Sequence, residues 1–163
     1  MNFIYFIIFI IGQRLLELVI AKHNEKWIRK QGALEYGQKH YSSIVLLHTF
    51  FIIALTIEYW YRGGHFNRVF MIIFLILLLL KIWTIFSLGK YWNTKILKIP
   101  HSVFVKKGPY KYFKHPNYFI VVCEFVVIPL VFNLYLTAII FSALNAIMLM
   151  VRIREEEKVW ANI

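Results

Sequence analysis

The 163-residue chain is poor in acidic residues and in cysteine. Its single cysteine, Cys123, cannot form an intramolecular disulfide, so the sequence indicates no oxidising compartment. Eight acidic residues stand against nineteen basic ones, which gives a net charge of +11. Charge of either sign is absent from two long stretches, 69–80 and 134–151. Hydrophobic residues instead make up 60% of the chain, well above the ~45–50% of soluble domains.

Several common catalytic and cofactor motifs are also missing. No two of the six histidines are spaced i,i+3 or i,i+4, so no zinc or di-iron site is predicted and no metal is expected. There is no glycine-rich phosphate loop and no dinucleotide fingerprint. No Ser-His-Asp set can be nominated from the sequence. Any cofactor must therefore be held in another way.

The hydrophobic runs predict an all-α integral membrane protein, because crossing a bilayer takes about 20 apolar residues per helix. The N-terminal run lacks a basic leader and is interrupted by Arg14 and Glu17, so we predict a retained membrane helix rather than a signal peptide. Residues 1–163 are expected to form a single domain whose last two segments make a tight hairpin bent at Pro129 and Asn133. The five predicted membrane segments are 3–21, 43–61, 69–88, 118–132 and 134–151.

The distribution of basic residues predicts the orientation. Loop 22–42 holds five Lys and Arg residues, loop 89–117 holds seven and the tail after 151 holds three, whereas the opposite side has only Arg62 and Arg68. The richer side is expected to be cytoplasmic, which places the N-terminus outside and the C-terminus inside, in a bacterial plasma membrane. This topology and contact with membrane lipids explain the net charge, so no nucleic-acid partner is predicted.

Six polar residues within the membrane segments lie at a similar depth, about 6–10 Å below the cytoplasmic interface. Charges in hydrocarbon are costly and tend to pair in the interior of a helix bundle. Two interpretations remain open: a structural ion-pair network, or the polar floor of a substrate pocket that opens toward the cytoplasm. The six residues are Arg14, Glu17, His48, Lys81, Glu124 and Asn145.

Two further motifs flank the hairpin. The segment GPYKYFKHPNYF, residues 108–119, combines two prolines with five aromatic and three basic side chains. On its own it is typical of an aromatic and basic anchor at the membrane interface. The second motif, RIREEE at 152–157, places Arg152 and Glu156 one helical turn apart, which alone would indicate an exposed ion pair.

Together, these two motifs resemble the isoprenylcysteine carboxyl methyltransferase family of integral membrane methyltransferases, in particular its short bacterial branch. The resemblance covers about residues 85–160. Lys114 stands where the family usually has arginine, and the glycine that often follows the tyrosine is absent, since Tyr118 precedes Phe119. The resemblance implies a cytoplasmic S-adenosylmethionine site. It assigns Arg152 to the acceptor and assigns to the cofactor Ser102, Val103, Phe104, Val105, Tyr110, His115, Pro116, Asn117, Tyr118 and Glu156.

By this resemblance, the protein is expected to O-methylate a lipophilic small-molecule acceptor, with a preference for long-chain phenolic or pyrone polyketides. An isoprenylcysteine or other lipid carboxylate is the alternative acceptor. Two different functions also remain open: an NADPH-dependent membrane reductase with a related hairpin, and a non-catalytic membrane adaptor.

Overall fold

The computed structural model describes residues 2–100 and 106–161, with the side chains of residues 39, 40, 160 and 161 excepted. It is a bundle of five α-helices with one small antiparallel sheet at one end. The elements in chain order are α1 (Phe3–Lys30), β1 (Leu34–Tyr36), α2 (Gln38–Arg62), α3 (Arg68–Leu88), β2 (Ile96–Lys98), α4 (Pro116–Leu130) and α5 (Tyr135–Ala161).

Four of these helices, α1, α2, α3 and α5, are long and apolar enough to cross a membrane, whereas α4 has only 15 residues. At 1.5 Å per residue α4 is about 22 Å long, shorter than a bilayer core of about 30 Å. The predicted all-α membrane fold with a C-terminal hairpin is therefore confirmed, and its fourth segment is the short one. The two three-residue strands were not predicted, because each is too short to give an alternating pattern.

The helices extend further toward the sheet end than their apolar runs. Helix α1 continues from the predicted limit at 21 to Lys30, and α5 continues past 151 to Ala161. In α1 the extra turns bury Asn24 and Ile28. These turns are held by contacts with the chain beyond α3 rather than by lipid, which hydropathy alone does not register.

The end opposite the sheet is closed by aromatic packing and by polar caps. Phe3 stacks on Tyr59 with 3.8 Å between ring centroids, and Phe132 packs edge-on against both. Glu58, which is buried in α2, accepts hydrogen bonds from the backbone amides of Leu136 and Thr137. A carboxylate at this position satisfies the otherwise unpaired amides of the first turn of α5.

A buried ion cluster joins three helices near the middle of the bundle. The side chain of Glu124 in α4 is fully buried and binds Arg14 Nη2 of α1 at 2.8 Å and Lys81 Nζ of α3 at 2.8 Å. Lys81 also pairs with Glu17 at 2.9 Å, and Arg14 pairs with Glu17 at 3.3 Å. Two cations and two carboxylates therefore balance within one hydrogen-bonded group.

The cluster predicts that Glu124→Gln destabilises the protein strongly, because Arg14 and Lys81 would then share one carboxylate in a low-dielectric interior. Removing one member of a buried ion pair costs about 3–5 kcal/mol. Thermal unfolding in detergent measures the loss. Glu157→Gln, which removes an exposed pair with Lys114, is the surface control and should change little.

The double variant Lys81→Met with Glu124→Gln keeps the remaining Arg14 and Glu17 balanced, and it should recover much of the lost stability. Equal losses in the single and the double variant would contradict an electrostatic origin.

Candidate functional site

A cleft at the sheet end of the bundle is the candidate site in the part of the chain that the structure describes. Its empty space is about 1000 Å³ when the open mouth is included. Its walls come from α1, β2 with the segment before it, the turn before α4, the start of α4 and the C-terminal turns of α5. The lining residues fall into an apolar group around Ile28, Leu88 and Leu97 and a polar group around His115, Arg152 and Glu156.

The segment after α3 is fixed to α1 by two asparagines. Asn24 Nδ2 donates to the carbonyl oxygens of Gly89 at 3.1 Å and of Trp92 at 2.8 Å. Asn93 Nδ2 donates in the other direction, to the carbonyl oxygen of Ala21 at 3.0 Å. These bonds hold the segment against α1, and they place Trp92 and Asn93 in the pocket wall.

A group of four charged side chains supports the sheet beside the pocket. Lys95 pairs with Glu25 at 2.9 Å and with Glu35 at 3.4 Å, and Arg29 contacts both carboxylates. Partial burial opposes the charged form of Lys95, but its hydrogen bonds and ion pairs with Glu25 and Glu35 together outweigh this, so its pKa lies above its ordinary value. Lys95 therefore stays charged at neutral pH in the pocket wall.

The turn that carries the Gly-Pro-Tyr sequence depends on glycine at its first position. Gly108 has φ +52°, and a Cβ atom there would overlap Ser87 Oγ of α3. Pro109 is buried, and the turn presents Tyr110 to the pocket. Burial, together with the neighbouring Tyr118 and Glu156, raises the pKa of Tyr110, so its phenol remains protonated and able to donate.

The start of α4 forms the next part of the wall. Pro116 occupies the first turn, where its missing N–H costs no hydrogen bond, and it is buried. His115, Asn117 and Tyr118 line the pocket, and the rings of His115 and Tyr118 stack with 5.2 Å between centroids and 14° between planes. His115 Nε2 and Asn117 Oδ1 are buried without a partner among the described residues.

The hydroxyl of Tyr118 connects the two motifs. Arg152 Nε donates to Tyr118 Oη at 2.9 Å, and Tyr118 Oη donates to Glu156 Oε2 at 2.5 Å. The Arg152 guanidinium also lies over the Tyr118 ring, 5.5 Å from its centroid, and its Nη2 donates to the carbonyl oxygen of Thr94 at 2.5 Å. Among the described contacts, Arg152 and Glu156 are joined through this phenol rather than directly to each other.

The three consecutive glutamates of α5 have different surroundings. Glu156 lines the pocket and lies 3.7 Å from His115 Nδ1. Glu157 pairs with Lys114 at 2.8 Å where both side chains are half exposed. Glu155 pairs with Lys158 and lines a smaller hollow beside the sheet. Glu156 is thus the glutamate of this run that faces the main pocket.

The structure brings together most of the residues that the family resemblance predicted for a site. Tyr110, His115, Asn117, Tyr118, Arg152 and Glu156 all line the pocket, and Pro116 is buried at the start of α4. Ser102, Val103, Phe104 and Val105 lie outside the described residues. The assignment of each residue to a cofactor or an acceptor stays a prediction.

The six residues of the predicted polar layer do not line this pocket as far as the structure describes it. Arg14, Glu17, Lys81 and Glu124 form the buried ion cluster instead. His48 Nδ1 bonds the Ile44 carbonyl at 2.9 Å, with its ring against Phe125. Asn145 is buried with its Nδ2 unpartnered among the described atoms. The geometry therefore favours the ion-network interpretation for four of the six.

Sequence reasoning missed the contribution of β2 and of the segment between α3 and β2. Trp92, Asn93, Lys95, Ile96 and Leu97 all line the pocket, although no motif marked them. The available signal was a short aromatic and polar stretch, YWNTK, directly after a long apolar helix. This stretch reaches the pocket wall because Asn24 of α1, about 70 residues earlier, binds its backbone, and a single sequence does not show this contact.

The fold and the cleft define a multi-pass membrane protein. A polar pocket lies at the sheet end of its helix bundle. The sequence profile of the isoprenylcysteine carboxyl methyltransferase (ICMT) family matches residues 69–162, more than half of the chain. The chain belongs to this family of membrane methyltransferases.

Two relatives match over nearly their whole length. The "Uncharacterized protein YpbQ" of Bacillus subtilis is 43% identical over 152 residues, which cover 91% of this chain and 90% of that protein. An "Uncharacterized protein" of Haemophilus influenzae is 26% identical over 158 residues, which cover 94% of this chain and 92% of that one. No solved structure matches the chain significantly.

The pocket fits the cofactor of such enzymes, S-adenosylmethionine. Three buried polar atoms on its lining residues lack partners among the described residues: Trp92 Nε1, His115 Nε2 and Asn117 Oδ1. Glu156 offers a carboxylate for the ammonium group of the cofactor, and Lys95 offers a cation for its carboxylate. The apolar wall suits a flat nucleobase. The described residues hold no group of three His, Cys, Asp or Glu that could bind a metal ion.

Proposed function

We propose that this protein is an S-adenosylmethionine-dependent O-methyltransferase that acts on a lipophilic acceptor at the membrane. The observation that carries the proposal is the Tyr118 hydroxyl, which hydrogen-bonds both Arg152 and Glu156 in the wall of the pocket. An interfacial anchor or an exposed helical ion pair would not need a partly buried phenol between its charges. The family of the chain supports the same reaction class.

In the proposed site, Glu156 holds the ammonium of the cofactor, and Arg152 holds the anionic oxygen of the acceptor. When bound, S-adenosylmethionine supplies an electrophilic methyl group, whose transfer to the acceptor oxygen forms a C–O bond, breaks the C–S bond and leaves S-adenosylhomocysteine. Arg152 cannot serve as a base, because a guanidinium stays charged in proteins. It stabilises and orients the oxyanion, which agrees with a reaction that depends mainly on placement.

The proposed acceptor has an ionisable oxygen at the end of an apolar body. Long-chain phenolic or pyrone polyketides have this form, as do isoprenylcysteine and other lipid carboxylates. Apolar side chains such as Leu88 and Leu97 share the pocket with Arg152, so the oxygen and the start of the tail can be held in one place.

The site is proposed to face the cytoplasm, where S-adenosylmethionine is made. The sheet end of the bundle carries the loops with the greater share of Lys and Arg, and such loops remain on the cytoplasmic side of bacterial plasma membranes. Helix α1 begins at the end opposite the sheet, and the last turns of α5 line the pocket at the sheet end, so a reporter at the C-terminus tests the side of the site directly.

Cofactor binding is the first test. We expect purified protein in detergent to bind S-adenosylhomocysteine with measurable heat in titration calorimetry, and to show a rise in melting temperature from preferential binding to the folded state. NADPH should give neither signal. Binding of NADPH alone would replace the proposal with a reductase, and binding of neither ligand would favour a non-catalytic adaptor.

Topology is tested with reporters. We predict that an enzyme reporter that is active only in the cytoplasm is active when fused after Ile163, while a reporter that is active only outside is silent there. A fusion in the turn at 63–67, between α2 and α3, should give the reverse pattern. A C-terminal fusion active only outside the cytoplasm would overturn the orientation and the access of the cofactor to the site.

Arg152→Ala and Glu156→Ala are predicted to fail in different ways. Loss of Glu156 should weaken S-adenosylhomocysteine binding by ~10–150-fold, as expected for a charge-assisted hydrogen bond. Loss of Arg152 should leave that affinity nearly unchanged and lower the turnover of a model acceptor, because it removes an interaction made with the reacting oxygen.

Glu157→Ala is the matched control for this pair, since its carboxylate points to Lys114 at the exposed surface. It should alter neither cofactor affinity nor turnover. Small and equal effects from Arg152→Ala, Glu156→Ala and Glu157→Ala would indicate only exposed helical ion pairs. They would refute the assignment of Glu156 to the cofactor and Arg152 to the acceptor.

A further inference from the structure

We propose that Trp92 is a cofactor-binding residue whose indole N–H donates a hydrogen bond to the nucleoside part of S-adenosylmethionine. The inference rests on the proposed function and assigns a role to a residue that neither motif includes. It begins from an unsatisfied atom. Trp92 is 2% exposed and lines the pocket, and its Nε1 is buried without a hydrogen-bond partner in the described part of the chain.

An indole nitrogen is only a donor, so it needs an acceptor when it is buried. Leaving such a group unpaired in the folded state costs about 1–3 kcal/mol, and buried polar groups are therefore normally paired. A tryptophan that served only to fill the wall could be replaced by phenylalanine without this cost. The retained N–H is explained if the bound ligand supplies the acceptor.

The position of Trp92 is fixed by the backbone around it. Asn24, which is itself buried, binds the Trp92 carbonyl oxygen at 2.8 Å from α1. The next residue, Asn93, binds the Ala21 carbonyl oxygen of the same helix at 3.0 Å. The segment that carries the indole is thus fixed to α1 by two side chains, so the unpaired N–H belongs to a preorganised wall rather than to a loose loop.

The nature of the ligand follows from the other unpaired atoms of the pocket. Asn117 Oδ1 is an acceptor and His115 Nε2 can act in either role, and both are buried without described partners. A ligand that satisfies this set must present both acceptors and donors. An aminopurine nucleoside presents ring nitrogens, an exocyclic amine and ribose hydroxyls, whereas an apolar acceptor tail presents none of these.

The decisive experiment is the titration of Trp92→Phe with S-adenosylhomocysteine. This substitution keeps an aromatic ring and removes the donor. We expect the dissociation constant to rise by ~5- to 100-fold, because the acceptor on the ligand would be buried unpaired. Trp60→Phe, at an exposed tryptophan near the opposite end of α2, is the matched control and should leave the constant unchanged.

The outcomes separate this inference from the function on which it rests. If the wild-type protein does not bind S-adenosylhomocysteine, the proposed function fails and the role of Trp92 falls with it. If wild-type protein binds and Trp92→Phe binds within about twofold of it, the function stands and the role of Trp92 is refuted. A loss confined to Trp92→Phe, with Trp60→Phe unchanged, supports the inference.

A second measurement decides the matter if Trp92→Phe cannot be purified in folded form. Replacing Trp27, Trp60, Trp83 and Trp160 by phenylalanine leaves Trp92 as the sole tryptophan of the chain. We expect its emission to shift in wavelength and intensity when S-adenosylhomocysteine is added. An emission unchanged at saturating ligand would overturn the proposal.

Discussion

The ion pairs of the fully buried Glu124 carboxylate are the interactions on which the rest of the bundle depends. This carboxylate binds one cation from α1 and one from α3, and these cations share a second carboxylate, Glu17. A bilayer offers no water to solvate any of these groups, so each must stay close to its partners. Other packing in the bundle is mainly between apolar side chains, which lipid could replace at little cost. The ion cluster is therefore the contact that fixes α1, α3 and α4 as neighbours.

This arrangement has a direct consequence for the site. Tyr118 lies six residues before Glu124 on α4, and Leu88 lies seven residues after Lys81 on α3. By fixing the depth of α3 relative to α4, the cluster also sets the depth of Tyr118 relative to the pocket wall that follows α3. Asn24 does the same from α1 through the carbonyl oxygens of Gly89 and Trp92. The shape of the pocket therefore depends on the relative depths of α1, α3 and α4 in the bundle.

The sequence predicted the membrane fold and much of the pocket, but not how the pocket is assembled. The long apolar runs were sufficient for the helices, because hydropathy depends on the segment itself. Tyr110, His115 and Glu156 were found through motifs whose residues lie close together along the chain. Trp92 and Asn93 were not found, because their place depends on Asn24 and Ala21 of α1. The polar layer was recognised as a group, but its separation from the pocket follows from helix packing that depth alone does not give.

The spacing of the two motifs follows from the geometry of the hairpin. Tyr118 lies about 12 residues before the end of α4, and Arg152 lies about 17 residues after the start of α5, so α5 extends beyond the start of α4. Helical side chains tilt toward the N-terminus of their own helix. In antiparallel helices, the Tyr118 side chain therefore points toward the sheet end. The side chains of Arg152 and Glu156 point away from the sheet end, toward the Tyr118 side chain.

The three side chains meet at the phenol oxygen although they are 34 and 38 residues apart in the chain. Helix α4 is too short for a full crossing, but its length is what brings Tyr118 to the level of this meeting point. The length of α4 therefore agrees with the position of Tyr118 beside Arg152 and Glu156, although it is short for a membrane crossing. The bilayer accommodates the short helix, since local thinning costs only fractions of a kcal/mol per Å of mismatch.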